Sequence, residues 1–125
     1  MLTDQEIENA KKRTKYSLKS GPHHENKDCI RIAYEWLDAQ SKTKHITKTN
    51  HGLKHIIENW AGRYVSRTDV DVAAELHPGT KGTYPYFNIS SRMVHISKLR
   101  LDGINEAFTH FYKEGISGDG YVRDE

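Results

Sequence analysis

The stretch that decides the fold runs from Asn50 to Ile96 and reads NHGLKHIIENWAGRYVSRTDVDVAAELHPGTKGTYPYFNISSRMVHI. Its first part repeats apolar residues with helical spacing, at Leu53, Ile56, Ile57, Trp60 and Tyr64. This spacing predicts an amphipathic helix over 51–63 that buries one face. Gly62 suits the left-handed position that follows the last turn of such a helix.

A second helix is predicted over 67–77. Ser66 and Asp69 stand at the spacing of a capping box just before a run of apolar residues. Pro78 ends this helix, because the residue before a proline is driven out of the helical region. The glycines and prolines of 78–85 then predict a loop with tight turns, and at most a short β-hairpin in 80–89.

Further helices are expected on both sides of this stretch. We predict one over 4–16 behind a Thr3/Glu6 capping box, one over 29–40 capped by Asp28, and one over 98–114 behind Ser97. A short turn is expected over 89–96. The expected core comprises Ile30, Ala33, Trp36, Leu37, Leu53, Ile56, Ile57, Trp60, Leu76, Leu101, Ile104, Phe108 and Phe111.

These patterns predict a mostly α fold, a single small helical bundle of about five helices that is winged-helix-like at most. With 125 residues, the chain is long enough for one domain. We expect a basic N-terminal helix in 1–20, a helical core domain in 28–114 and a flexible tail in 115–125. A linker with Gly21-Pro22 separates the first two parts.

The composition indicates a polar, cytoplasmic protein. Apolar residues make up 35% of the chain and the mean hydropathy is −0.83, so the surface must be heavily polar. Neither a membrane-spanning apolar run nor a signal peptide is present, and no membrane association is expected. The single cysteine, Cys29, cannot form an internal disulfide, which suits a reducing compartment.

Positive charge is clustered in three basic segments, 11–19, 42–48 and 92–100, although the net charge is only +2. If the basic segments meet on one face, they form a surface that attracts phosphates, and we predict nucleic-acid (DNA) binding there. The residues expected to take part are Lys11, Lys12, Arg13, Lys15, Lys42, Lys44, Lys48, Ser90, Ser91, Arg92, Lys98 and Arg100. The other interpretation is that these segments are solvated faces that serve solubility.

A helix-turn-helix made of 51–63 and 67–77 is excluded on charge, because Asp69, Asp71 and Glu75 would face phosphates. A second version uses the segment 72–76 and the segment 89–93, which contains Arg92. These two segments resemble the first helix and the start of the reading helix in helix-turn-helix regulators. About eleven residues separate them, however, where the motif has three or four.

The alternative function is protein binding. Tyr84, Tyr86 and Phe87 are concentrated in the loop 83–87, and aromatic side chains are typical interface anchors. A small polar protein of this kind could be an inhibitor or adaptor of the mobile-element type. The competing interpretation is that the three rings fold back and plug the end of the bundle.

Metal binding and catalysis have little support in the sequence. His51 and His55 are four residues apart, but no acid completes a zincin motif around them. His23 and His24 lie near Cys29 without a second cysteine to complete a zinc site. No nucleophile elbow, P-loop or dinucleotide fingerprint is present. We therefore expect no metal, no cofactor and no enzymatic activity.

Overall fold

The computed structural model describes residues 1–16, 23–46, 53–110 and 121–124, and the fold within these ranges is mostly helical. The helices are α1 (Asp4–Arg13), α2 (Lys27–Ala39), α3 (Leu53–Ala61) and α4 (Arg67–Leu76). Four short strands follow, β1 (Gly82–Thr83), β2 (Tyr86–Phe87), β3 (Met93–His95) and β4 (Tyr121–Asp124), with a 3-10 turn at Lys98–Leu101. The mostly α fold class is confirmed, with four α-helices in these ranges rather than about five.

Local capping signals set most of the helix ends. The Thr3/Glu6 box is complete in α1, with both reciprocal hydrogen bonds present. Ser66 and Asp69 form the equivalent box at the start of α4, as predicted. Gly62 follows α3 with a φ of 61°, the left-handed conformation that its position requires.

The predicted cap of α2 is wrong by two residues. Asn26 is the N-cap, and its side chain accepts a hydrogen bond from the Asp28 backbone N–H at 2.8 Å. Asp28 lies inside the first turn, where its carboxylate binds the Arg31 guanidinium at 2.7 Å. A carboxylate in the first turn also suits the positive end of the helix dipole.

The core lies between α2 and α4, which pack chiefly against each other. Trp36 of α2 is fully buried. Seven consecutive residues of α4, from Thr68 to Ala74, are also buried, so this helix is surrounded on nearly every side. The first helix covers α4 with the fully buried Ile7 and Ala10. Burial of this apolar surface is the main force holding the helices together.

Most of the predicted core is confirmed. The residues found buried are Ile30, Ala33, Trp36, Leu37, Leu53, Ile57, Trp60, Leu101 and Ile104, while Ile56, Leu76 and Phe108 are partly buried. Phe111 lies outside the described residues. The sequence did not predict the contributions of Ile7, Ala10, Val65, Val70, Val72, Phe87, Ile89, Met93 and Ile96. Several of these come from segments that were expected to be loops.

The predicted hairpin is present in 80–89. In it, β1 and β2 run antiparallel, with Gly82 opposite Phe87. The ladder continues by one step, because the Asn88 backbone N–H donates to the Lys81 carbonyl at 3.0 Å. Gly82 has a φ of 107°, and a Cβ on it would lie 2.2 Å from the Tyr86 carbonyl oxygen. Only glycine fits at this position.

A further segment extends the hairpin on the side of β2. The Thr43 N–H donates to the Asn88 carbonyl at 2.8 Å, and the Ser90 N–H donates to the Ser41 carbonyl at 2.9 Å. Between these bonds, Lys42 forms an antiparallel bridge with Ile89. Residues 41–43, 81–83 and 86–90 therefore form three adjacent extended segments, which we call the hairpin ribbon.

Two predictions for the C-terminal half are wrong. The turn expected over 89–96 is instead the bridge at Ile89 followed by strand β3. The helix expected over 98–114 is reduced to the 3-10 turn, with further turns up to residue 110, and 111–114 lie outside the described residues. Gly103 follows the 3-10 turn with a φ of 85°. The Phe108 N–H then donates to the Ala61 carbonyl at 2.7 Å instead of to a preceding helical turn.

The end of the chain also differs from the expected loose tail. Residues 121–124 form β4, which pairs in parallel with β3 and places Met93 opposite Tyr121. On the inner side of β3, the Gln40 side chain binds both backbone groups of Val94, accepting from its N–H at 2.8 Å and donating to its carbonyl at 2.9 Å. These bonds tie β3 to the end of α2.

Candidate nucleic-acid interface

Several of the predicted phosphate contacts are already engaged in ion pairs within the chain. The pairs are Lys11 with Glu8 (3.1 Å), Arg13 with Glu75 (3.0 Å), and Arg100 with both Glu35 (3.1 Å) and Asp38 (2.9 Å). A cation that is balanced by a neighbouring carboxylate contributes less to the field that attracts a polyanion.

Two other predicted lysines cap helix ends. Lys42 donates to the carbonyls of Leu37 and Gln40, the latter at 2.7 Å, at the C-terminus of α2. Lys98 donates to the Trp60 carbonyl at 2.6 Å, at the C-terminus of α3. Burial lowers the pKa of both amines. Cations favour the negative end of a helix dipole, so both lysines have a structural role.

The remaining predicted cations are exposed. Lys12, Lys15, Lys44 and Arg92 have no carboxylate within 4.0 Å in the part of the chain that the structure describes. Of the two predicted serines, Ser91 is exposed and Ser90 is half-buried, with its Oγ accepting from the Arg92 N–H at 3.1 Å. Lys48 lies outside the described residues.

The hairpin ribbon brings the basic segments together. Lys44 directly follows the edge segment 41–43, and Arg92 follows the other end of the ribbon by two residues. Lys81 lies within the ribbon, is exposed, and has no ion pair with any described residue. The ribbon therefore carries cations from the second and third basic segments at its opposite ends, with Lys81 on its outer strand.

The first basic segment reaches the ribbon across a cleft of about 330 Å³. Lys15, just beyond α1, and Lys81, in the ribbon, both line this cleft. Its wall also contains Arg13, Thr14, Asp71, Ala74, Glu75, Thr80, Gly82 and Phe87. The two acids are part of α4; Glu75 is balanced by Arg13, and Asp71 is only 5% exposed. We call Lys15, Lys44, Lys81 and Arg92 the basic ribbon surface.

The aromatic residues of the loop have different environments. Phe87 is 2% exposed and belongs to the core. Tyr84 is half-buried, with its hydroxyl accepting from the Lys54 N–H at 3.3 Å and the Arg67 guanidinium 5.0 Å from its ring centroid. Tyr86 is 43% exposed. Two of the three rings therefore pack against the body of the protein, and Tyr86 is exposed. Ile46, also exposed, lies near Gly82, because a Cβ built on Gly82 would be 3.0 Å from its Cδ1.

A histidine anchors the chain that leads into the ribbon. The Nδ1 of His77 accepts from the Gly79 backbone N–H at 3.1 Å, so this nitrogen carries no proton. The proton is therefore on Nε2, which donates to Asp38 at 2.8 Å. The Thr80 hydroxyl lies 3.1 Å from the same Nδ1, but it is 9% exposed and shares that acceptor with Gly79. This geometry suits a structural anchor rather than an activated nucleophile.

The anchor predicts a specific loss of stability in acid. The His77 hydrogen bond, and then Arg100, lower the pKa of Asp38 below its ordinary value of 3.8. A depressed folded-state pKa contributes stability that is present above 3.8 and is lost as the pH falls through the lower folded value. Asp38→Asn should therefore be less stable than wild type at neutral pH. The difference in the free energy of unfolding between the two proteins should become smaller as the pH falls below 3.8. Urea unfolding from pH 7 downward measures it, and a gap independent of pH would contradict the assignment.

Other titratable side chains are also held by internal partners. His55 binds the buried Glu58 at 3.0 Å, and His24 binds the fully buried Asp69 at 2.7 Å. Burial, and then Asp69, raise the pKa of the Cys29 thiol to about 12, so this cysteine is unreactive at neutral pH. Within the described ranges, no three His, Cys, Asp or Glu side chains are grouped to hold a metal ion. His51 lies outside those ranges.

Sequence reasoning missed Lys81 as a member of the basic ribbon surface and Ile46 as an exposed apolar residue next to the hairpin. Lys81 stands between Gly79 and Gly82, and this short glycine-flanked loop was the available signal. Ile46 gave no signal, because an isolated apolar residue in a polar segment has no periodicity. Its place beside Gly82 depends on the pairing of two segments that are about forty residues apart.

In the ranges that the structure covers, no helix has both the length and the apolar character to cross a membrane. Comparison with known proteins adds no functional information: no protein-family model, no curated protein and no solved structure matches the chain.

Proposed function

We propose that the chain is a nucleic-acid-binding protein, without enzymatic activity, that uses the basic ribbon surface. The supporting observation is that Lys15, Lys44, Lys81 and Arg92 are exposed cations from separate segments that lie in the ribbon, next to its ends or across the cleft from it. None of these four cations has a carboxylate of a described residue at ion-pair distance. Clustered cations of this kind gain most from a ligand with regularly spaced negative charges, because binding releases condensed counterions.

The experiment compares two double variants with the same change in net charge. Lys44→Gln/Lys81→Gln neutralises two cations of the basic ribbon surface. The control, Lys11→Gln/Lys27→Gln, neutralises two cations that lie 3.1 and 3.5 Å from Glu8. Fluorescence anisotropy with a labelled oligonucleotide, between about 50 and 200 mM salt, gives the affinity and its salt dependence.

We expect wild-type affinity to fall steeply with salt. The Lys44→Gln/Lys81→Gln variant should bind more weakly at low salt, and its negative slope of log K against log salt should become shallower by about 1.4 to 1.8. The control should retain nearly the wild-type slope. Equal losses in the two variants would show that only net charge matters, and the absence of measurable wild-type binding would overturn the proposal.

A second candidate is protein binding by an inhibitor or adaptor, favoured by the exposure of Tyr86 (43%) and Ile46 (42%) at the hairpin. Exposed aromatic and aliphatic side chains on a rigid element are typical interface anchors. Phe87 belongs to the core, so Tyr86 would be the principal anchor. We infer a cytoplasmic location for either function, because the single cysteine is buried as a free thiol.

A further inference from the structure

The exposed faces of the helices near the ribbon disfavour reading of a DNA duplex. Duplex sequence is usually read by a helix in the major groove, with cations on the flanking phosphates. The exposed position of α2 is Asp38, and that of α4 is Glu75. On α3 the exposed positions are His55 and Asn59. None of these faces offers a row of cations to a duplex.

The first helix and β3 do not supply a reading helix either. On α1, the exposed Lys12 and Arg13 share the surface with the exposed Asp4 and Glu6. The segment that resembled the start of a reading helix forms the bridge at Ile89 and strand β3. A helix-turn-helix therefore lacks its second helix in the part of the chain described by the structure.

The hairpin ribbon itself is too wide for the major groove. The groove, about 12 Å across, admits a helix or a two-stranded ribbon. This ribbon has three adjacent segments, whose backbones alone span about 10 Å at a spacing of roughly 4.8 Å. Their side chains add further width on both edges. The ribbon can contact a strand that lies on its surface more readily than one in a groove.

What the ribbon does offer is an exposed aromatic residue on its central segment, with a lysine in one neighbouring segment and another just beyond the other. Tyr86 lies in β2 opposite Thr83 and is 43% exposed. Lys81 begins the opposite segment, and Lys44 follows the segment on the other side of β2. An exposed ring flanked by lysines is the arrangement that binds single strands, because bases stack on the ring while lysines contact phosphates.

We propose that the ligand is single-stranded nucleic acid, with a base stacked on Tyr86 and the adjoining phosphates contacted by Lys44 and Lys81. This inference rests on the proposed function and narrows it to one class of nucleic acid. Lys15, across the cleft from Lys81, extends the path for the phosphate backbone. A duplex cannot use the ring in the same way, because its bases are already stacked and paired.

The test uses the full chain with two labelled probes of equal length, an oligothymidylate and a DNA duplex, at one salt concentration. Wild type should bind the oligothymidylate at least about tenfold more tightly. Tyr86→Ala should weaken this binding between about fivefold and a hundredfold, the range of one lost stacking contact. Tyr86→Phe is the matched control and should retain nearly all of the affinity. Thermal unfolding shows whether each variant is folded.

The salt dependence separates this inference from the broader function. Tyr86→Ala removes no charge, so its slope of log K against log salt should equal that of wild type, unlike Lys44→Gln/Lys81→Gln. Equal or tighter binding of the duplex, or full affinity in a folded Tyr86→Ala, would overturn the single-strand inference and leave nucleic-acid binding intact. If wild type bound neither probe, both the single-strand inference and the proposed nucleic-acid binding would be overturned.

A further arm tests for an acidic protein partner. Polyglutamate carries repeated negative charge but no bases. It should therefore displace the labelled oligothymidylate only when its carboxylates are at a far higher concentration than the phosphates of an unlabelled oligothymidylate that displaces the label equally well. Displacement at equal charge concentration would overturn the inference, because it would show that the surface recognises any polyanion. Retained discrimination would support a base contact at Tyr86.

Discussion

Replacing Trp36 by alanine is expected to lower the free energy of unfolding by about 3–5 kcal/mol. Trp36 is the largest of the fully buried side chains and lies on α2, the helix that packs against α4. Alanine would leave a cavity that rigid neighbouring helices can fill only in part, so both the transfer free energy and the packing contacts are lost. Urea unfolding followed by circular dichroism measures the change, and a loss below about 1 kcal/mol would contradict the packing.

The two tryptophans form a matched comparison. The indole Nε1 of Trp36 is buried and has no hydrogen-bond partner among the described residues, whereas that of Trp60 donates to the Ile96 carbonyl at 3.1 Å. Phenylalanine at position 36 removes an unsatisfied donor, but at position 60 it leaves a carbonyl without its partner. Trp36→Phe should therefore cost less than Trp60→Phe. The reverse order would contradict this account of the two indoles.

The second large effect is expected at Asp69, a carboxylate that is fully buried. Its oxygens accept from the Ser66 N–H at 3.1 Å, the Glu25 N–H at 3.3 Å and the His24 ring at 2.7 Å. Asp69→Ala removes the capping box of α4 and leaves these donors unpaired, at a cost of about 2–4 kcal/mol. Denaturant unfolding measures this loss.

Two variants sharpen the Asp69 experiment. Asp69→Asn keeps one carbonyl oxygen as an acceptor, so it should fall between wild type and Asp69→Ala. Glu75→Ala is the control on the same helix, because Glu75 is exposed and its pair with Arg13 is also exposed. Such pairs are worth less than about 1 kcal/mol. If Asp69→Ala lowered the free energy of unfolding no more than Glu75→Ala does, the Asp69 carboxylate would not be the group that holds α4 to the segment before α2.

The parts of the fold that were predictable are those with local causes. The capping boxes at Thr3 and Ser66 and the left-handed Gly62 are set by residues within one helical turn, so sequence spacing was sufficient. The prediction of a helix over 98–114 is wrong, because a series of turns can bury apolar residues at the same spacing. The Phe108 N–H pairs with the Ala61 carbonyl, a contact between distant segments that no local pattern specifies.

The candidate site was predictable only in part, for the same reason. Clustering of lysines in the sequence indicated three segments, and Lys15, Lys44 and Arg92 of these segments are exposed without an acid at ion-pair distance in the described ranges. Lys42 and Lys98 have the same local surroundings in the sequence, yet their amines bind carbonyls at helix ends. Which lysines face solvent was therefore decided by tertiary packing, which also placed Lys81 in the ribbon.

The pairing of α1 with α4 has a consequence for how the protein assembles during synthesis. Ile7 and Ala10 lie on α1, which packs against α4. The ribosome adds the residues of α4 much later, as the 62-residue separation of the paired Arg13 and Glu75 shows. Until α4 has emerged, α1 lacks the helix against which it packs most, although α2 is already present. The packing of α1 is thus completed only after a stretch of about sixty further residues has been made, which favours α1 joining the fold after α2 and α4.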